Sequence, residues 1–144
     1  MTLLPTSAGT GTPAAFSPLV LIVDDNARNR NLARDVLRAA GLRTIEAAGG
    51  REGIAIALEH RPDVILLDLR LPDMDGTDVA RELKSSPGTA EIPVVALTAV
   101  LADGGGEWLS VGGFAGHIEK PIDVREFPGR VLGYVRPAAP DRSA

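Results

Sequence analysis

Asp63-Val64-Ile65-Leu66-Leu67-Asp68-Leu69-Arg70-Leu71-Pro72-Asp73-Met74-Asp75-Gly76 is the stretch from which the rest of the chain can be read. Four branched apolar residues, Val64 to Leu67, stop abruptly at an acid. A run so short and so apolar predicts a strand buried on both faces, as in a parallel sheet covered by helices. Sheets of that kind place their chemistry just beyond the carboxyl ends of the strands. Asp68 stands at that end, followed by the turn residues Pro72, Asp73 and Gly76. It is either a nucleophile or only a strand-end acid, and its neighbours in the sheet must decide.

Outward from this stretch, the chain alternates strand and helix. Leu19 to Val23 is an apolar run ending in Asp24-Asp25. Asn26 to Ala40 carries Leu32 and Val36, and Ala33 and Leu37, each pair four apart on one helical face. Gly41 ends that helix where glycine is favoured. Leu42 to Glu46 predicts a second strand, and Gly49 to His60 a helix with Ile54, Ala57 and Leu58 at helical spacing, closed by Arg61-Pro62. After Val64 to Leu67, Val79 and Leu83 place a helix over Thr77 to Ser85. Ile92 to Leu97 is the fourth strand, ending at Thr98. Asp103 to Val111 has helical rhythm, but Gly104, Gly105 and Gly106 each cost about 1 kcal/mol relative to Ala in a helix. Phe114 to Ile118 is the fifth strand. Asp123 and Glu126 have the spacing of a capping box for a last helix, which Pro128 kinks or delays, and whose apolar face is Phe127, Val131, Leu132 and Val135. Five strands alternating with five helices imply an open, doubly wound α/β sheet. The segments 1–17 and 137–144 lack periodicity and read as flexible tails around a domain at 18–136.

Composition narrows the function. The chain has 144 residues, no cysteine and a formal net charge of −4 with a sequence pI near 5.1. No disulfide framework or thiolate zinc site is possible, and the acidic balance argues against a nucleic-acid surface. Arg28, Arg30, Arg34 and Arg38 lie close together and read as a solvated helix face. No apolar block approaches the roughly 20 residues of a membrane span, and no signal peptide is visible. A cytoplasmic protein without membrane contact is expected.

If the strands are parallel neighbours, Asp24, Asp25, Asp68, Thr98 and Lys120 meet at one edge of the sheet. Three carboxylates in one place repel, and their pKa values rise unless a cation sits among them. Mg²⁺ suits such hard oxygen ligands and commonly shares a phosphate. An aspartate held between a metal, an ammonium and a hydroxyl is set up for covalent phosphoryl transfer. Asp73 and Asp75 read as Asx-turn residues, His60 as a helix-end residue, and Trp108 as core or else an exposed partner contact.

In these motifs the sequence resembles the receiver domain of two-component response regulators. The residues that carry the resemblance are Asp24-Asp25, Asp68 with Leu71-Pro72-Asp73-Met74-Asp75-Gly76, Leu97-Thr98-Ala99, and Lys120-Pro121, which follows Thr98 by 22 residues. The resemblance implies a flavodoxin-like sheet in the order 2-1-3-4-5. It implies that Asp68 is the phosphoacceptor, charged by a phosphohistidine of a sensor histidine kinase or histidine phosphotransfer protein. Asp25, Asp68 and the backbone carbonyl of Arg70 would bind Mg²⁺, with Asp24 acting through water. Lys120, in a cis bond to Pro121, would pair with the phosphoryl oxygen, and Thr98 would move to bond it. The switch position three before Lys120 is His117 rather than the family's common Tyr or Phe, which makes the switch pH-sensitive near neutrality. Arg70 and Val100 would flank the path of attacking water and modulate loss of the phosphoryl group. Output would pass through the fourth helix, fifth strand and fifth helix to a downstream protein target, or onward in a phosphorelay.

A stand-alone, non-enzymatic signalling switch is the expectation, since the chain ends about one helix past Lys120-Pro121. The alternatives are an aspartate-nucleophile phosphatase, a receiver used as an adaptor without phosphorylation, and a piece of a hybrid kinase. The phosphatase usually needs a second Asp two after the nucleophile, where this chain has Arg70.

Overall fold

Val64 to Leu67 lie at the centre of a five-stranded, wholly parallel sheet in the order β2-β1-β3-β4-β5. The computed structural model describes residues 17–98 and 113–135. The strands are β1 (Leu19–Val23), β2 (Arg43–Ala47), β3 (Val64–Asp68), β4 (Val94–Thr98) and β5 (Gly116–Glu119). Four helices are present among the described residues: α1 (Ala27–Ala39), α2 (Gly50–His60), α3 (Gly76–Ser85) and α4 (Phe127–Tyr134). The predicted helix over 103–111 with Trp108, Val100, and the tails apart from Ser17 lie outside the described residues. The Ser17 carbonyl, placed in the tail by its sequence, accepts hydrogen bonds from Arg43 Nε and Nη2.

Alternation along the strands divides the core into two layers. Val20, Ile22, Val64, Leu66, Val95 and Leu97 point to the side of α1 and α4, where they meet Leu37, Phe127 and Val131. Leu21, Val23, Ile65, Leu67 and Val94 point to the side of α2 and α3, where they meet Ala57, Val79 and Leu83. Each such valine, leucine, isoleucine or phenylalanine stabilises the fold by about 1.5–3 kcal/mol through burial. This two-sided burial is why β1, β3 and β4 carry no alternating polar residue.

Element ends differ from the sequence expectations for local reasons. Asn26 lies outside α1 and caps it, its side chain accepting from the Asn29 amide at 3.1 Å. Gly41 takes φ +94°, the left-handed geometry that ends the helix. β4 begins at Val94, because Ile92 belongs to the preceding turn, where its amide bonds the Thr89 carbonyl. β5 begins at Gly116 rather than Phe114. The capping box expected at Asp123 and Glu126 is corrected: Asp123 Oδ1 accepts from the Arg125 and Glu126 amides within a turn, and α4 starts only at Phe127, with Pro128 in its first turn. Leu32, Leu58 and Leu132, expected on apolar faces, are 40–45% exposed. Each helix buries one narrow stripe against the sheet, and these leucines lie off it.

Candidate functional site

The order β2-β1-β3 makes the chain leave β1 and β3 in opposite directions across the sheet, which opens a crevice at their carboxyl ends. Asp24 and Asp25 follow β1, Asp68 ends β3, Thr98 ends β4 and Lys120 follows β5. The structure brings all the sequence-predicted acids together. Carboxylate oxygens of Asp24, Asp25 and Asp68 lie within 4.8 Å of one another. Lys120 Nζ stands 3.3 Å from both Asp24 Oδ2 and Asp68 Oδ2. The Lys120 amide donates to the Thr98 carbonyl at 2.8 Å, which ties the lysine backbone to the end of β4. The Lys120-Pro121 bond is cis, as expected.

Asp24 is fully buried, Asp25 is exposed, and Asp68 and Thr98 are each 8% exposed. Asp24 Oδ1 accepts from the Asn26 amide at 2.9 Å. Asp24 Oδ2, buried and close to the lysine ammonium, has no hydrogen bond among the described residues. Asp68 Oδ1 accepts from the Arg70 amide at 3.0 Å. Burial raises the Asp68 carboxyl above the usual carboxylate range. The Arg70 amide and the Lys120 ammonium pull against that rise, and the neighbouring Asp24 adds to it. A buried carboxylate oxygen that makes no hydrogen bond, beside two further acids, belongs to an oxygen set suited to a hard divalent cation.

Arg70 is exposed at the rim of this crevice, and its backbone pairs with Asp75 in an isolated antiparallel bridge. His117 lies half-buried on the edge strand β5, opposite Ala96 of β4, and its carbonyl is 3.4 Å from Arg130 Nη2. Gly76 closes the loop after Asp68. Its amide bonds the Leu69 carbonyl, and a β-carbon there would lie 2.7 Å from Leu69 Cα and 3.0 Å from the Asp68 carbonyl oxygen.

Two features escaped the sequence reading. Asp73, read as a turn residue, also caps a different helix: its carboxylate oxygens accept from the Gly50 and Arg51 amides at 2.8 and 3.0 Å. Gly49, at the cap position of α2, has no side chain for this. Those two amides hold the Asp73 carboxyl below its ordinary range. The arginines of α1 are not simply solvated either. Arg30 Nη1 donates to the Asp24 carbonyl, Arg30 and Arg34 pair with Glu46, and Arg38 Nε donates to Thr44 Oγ1. Their spacing of four was the available signal, since it puts Arg30, Arg34 and Arg38 on one face of α1, beside β2.

The model of the response regulator receiver domain matches residues 20–131. The polar-differentiation response regulator DivK of Brucella anthropi is 40% identical over 116 residues, covering 81% of this chain and 94% of that protein. DivK of Brucella ovis matches to the same extent. Among solved structures, the chemotaxis protein CheY4 of Vibrio cholerae superposes with a TM-score of 0.78 at 26% identity, covering 83% of this chain and 99% of that one. The receiver domain of the sensor histidine kinase PA1611 of Pseudomonas aeruginosa gives 0.76 at 30% identity, covering 82% and 97%. That structure holds a magnesium ion in its active-site cleft.

Proposed function

The chain belongs to the response regulator receiver family, and on that premise we propose that Asp68 is its phosphoacceptor. The donor is a phosphohistidine of a sensor histidine kinase or a histidine phosphotransfer protein. A carboxylate oxygen of Asp68 attacks the phosphorus as the phosphorus–nitrogen bond breaks. The product is an aspartyl acyl phosphate, and the departing imidazole keeps the electron pair of the broken bond. Residues 18–136 carry this activity, and its output is a change in protein binding or onward transfer of the phosphoryl group.

The observation that supports this reading best is the lysine ammonium 3.3 Å from both Asp24 and Asp68 beside a third carboxylate. Asp24, Asp25, Asp68 and the Arg70 carbonyl would hold Mg²⁺, to which the buried Asp24 Oδ2, with no hydrogen bond among the described residues, is suited. When bound, the ion neutralises charge on the transferring oxygens. Lys120 neutralises a phosphoryl oxygen from the other side, and the Thr98 hydroxyl donates to another. His117 is the switch residue on β5, responding to Thr98 on the neighbouring strand. A flat pH response of partner binding, in wild type and His117→Phe alike, would remove that role. Arg70, two residues after the acceptor, would cover the path of attacking water, so Arg70→Ala is expected to speed phosphate loss.

Incubation with acetyl phosphate and Mg²⁺, followed by intact-mass measurement, tests the central reading. One phosphoryl group per wild-type chain and none in Asp68→Asn is the expected result. Labelling that persists in Asp68→Asn overturns it. Many turnovers of a phosphorylated small molecule would instead indicate a phosphatase.

A further inference from the structure

The turn that carries Asp24 and Asp25 is held from behind by α1. Arg30 Nη1 donates to the Asp24 carbonyl oxygen at 2.7 Å, and its Nε donates to Glu46 Oε1 at 3.3 Å. The Glu46 Oε2 atom lies 3.6 Å from Arg34 Nη1. The Arg30 and Glu46 side chains are 19% and 25% exposed, so this pair is sheltered rather than a loose surface contact. The Asp24 amide also bonds the Ala47 carbonyl of β2 at 3.1 Å. The β2 strand thus holds the turn twice, once through its backbone and once through Glu46 and Arg30.

Three carboxylates within 4.8 Å repel, so a free turn would swing its acids away from Asp68. A planar guanidinium with two donors engaged fixes direction as well as distance. Here it fixes the carbonyl of the peptide joining Asp24 to Asp25, and so the directions in which both side chains leave. Glu46 offsets the charge of Arg30, which leaves geometry as the arginine's main effect on the site.

We propose that Arg30, anchored by Glu46, is a positioning residue for the Asp24-Asp25 pair and sets the divalent-cation affinity of the site. The proposal rests on reading the acid cluster as a Mg²⁺ site. It makes a claim of sign. A cation close to a cation site opposes binding, so on charge alone removing Arg30 would tighten Mg²⁺ binding. A positioning role requires the opposite.

Titration of the full chain with MgCl₂, followed by backbone amide chemical shifts, reads the affinity without any phosphoryl transfer. Circular dichroism checks the fold of each variant. Arg30→Met is expected to weaken Mg²⁺ binding about tenfold, the lower end of the usual loss when a group supporting metal ligands is removed. Arg34→Met, which loses a partner of Glu46 but nothing at Asp24, should bind as wild type does. A folded Arg30→Met that binds Mg²⁺ as well as or better than wild type overturns the proposal. So does an equal loss in Arg34→Met. Should Arg30→Met fail to fold, Arg30→Lys decides: it keeps a charge near Glu46 but not the two-armed contact, and wild-type affinity there is equally fatal. Saturable binding in wild type that is lost in Asp24→Asn supports the underlying site. If wild type shows none, the Mg²⁺ reading itself falls and this inference with it.

Discussion

Asp73 shows how one carboxylate can join two parts of the molecule. It sits in the loop after Asp68, yet it accepts the amides of Gly50 and Arg51 at the start of α2. Asp73→Ala is therefore expected to lower the melting temperature at neutral pH. The pH dependence follows from the direction of its shift. The folded carboxyl titrates below its ordinary range, so the folded state binds fewer protons and gains stability wherever the group is ionised. That contribution is present above about pH 4 and is lost as pH falls through the lower folded value. Urea melts of wild type and Asp73→Ala should differ at pH 7 and converge in acid. A difference that stays constant into acid would mean that Asp73 acts through packing and not as a charged cap.

At the scale of elements, two backbone positions make measurable claims. Gly76 opens α3 against the loop that leaves β3, and a β-carbon would meet Leu69 Cα at 2.7 Å. The Gly76→Ala variant is expected to lose about 1–3 kcal/mol, because backbone must move to admit the methyl group. Chemical denaturation reads this, and the Asp68 and Arg70 amides should shift with it. Arg61 ends α2 in the left-handed region, at φ 48°, with its amide on the Ala57 carbonyl. A non-glycine residue pays about 1–2 kcal/mol for that geometry, and glycine returns part of it as chain entropy. Arg61→Gly should accordingly stabilise by about 0.5 kcal/mol, seen as a small rise in denaturation midpoint. A loss would show that the arginine side chain matters more than its backbone strain.

The whole molecule is a sheet covered on both sides, and stability should follow that division. Leu66 and Leu37 are completely buried on the side of α1 and α4, whereas Leu32 is 40% exposed on α1 itself. Leu66→Ala and Leu37→Ala are each expected to cost about 2–5 kcal/mol, by lost transfer energy and the cavity left behind. Leu32→Ala should stay within about 0.5 kcal/mol of wild type. Equilibrium denaturation of the three variants separates these outcomes. Near-equal losses at Leu32 and Leu37 would contradict the way α1 is set on the sheet.

Chain order, strand identity and the acids at strand ends were legible in the sequence by itself. They rest on local chemistry: apolar runs such as Leu19 to Val23 and Val64 to Leu67, stopped by charge, and glycines or prolines at the turns. From these, a parallel sheet follows because no polar residue interrupts its central strands. Tertiary structure alone decided which side chains touch. It placed Lys120 equally near Asp24 and Asp68, sent Asp73 to α2, and turned Arg30 back onto the Asp24 carbonyl. It also left Leu32, Leu58 and Leu132 facing outward although their spacing is helical. The physical reason is common to all of them. Periodicity says which residues share a face, but the contacts of that face depend on how distant elements pack, and polar partners 6 to 96 residues apart in sequence are not paired by any local pattern.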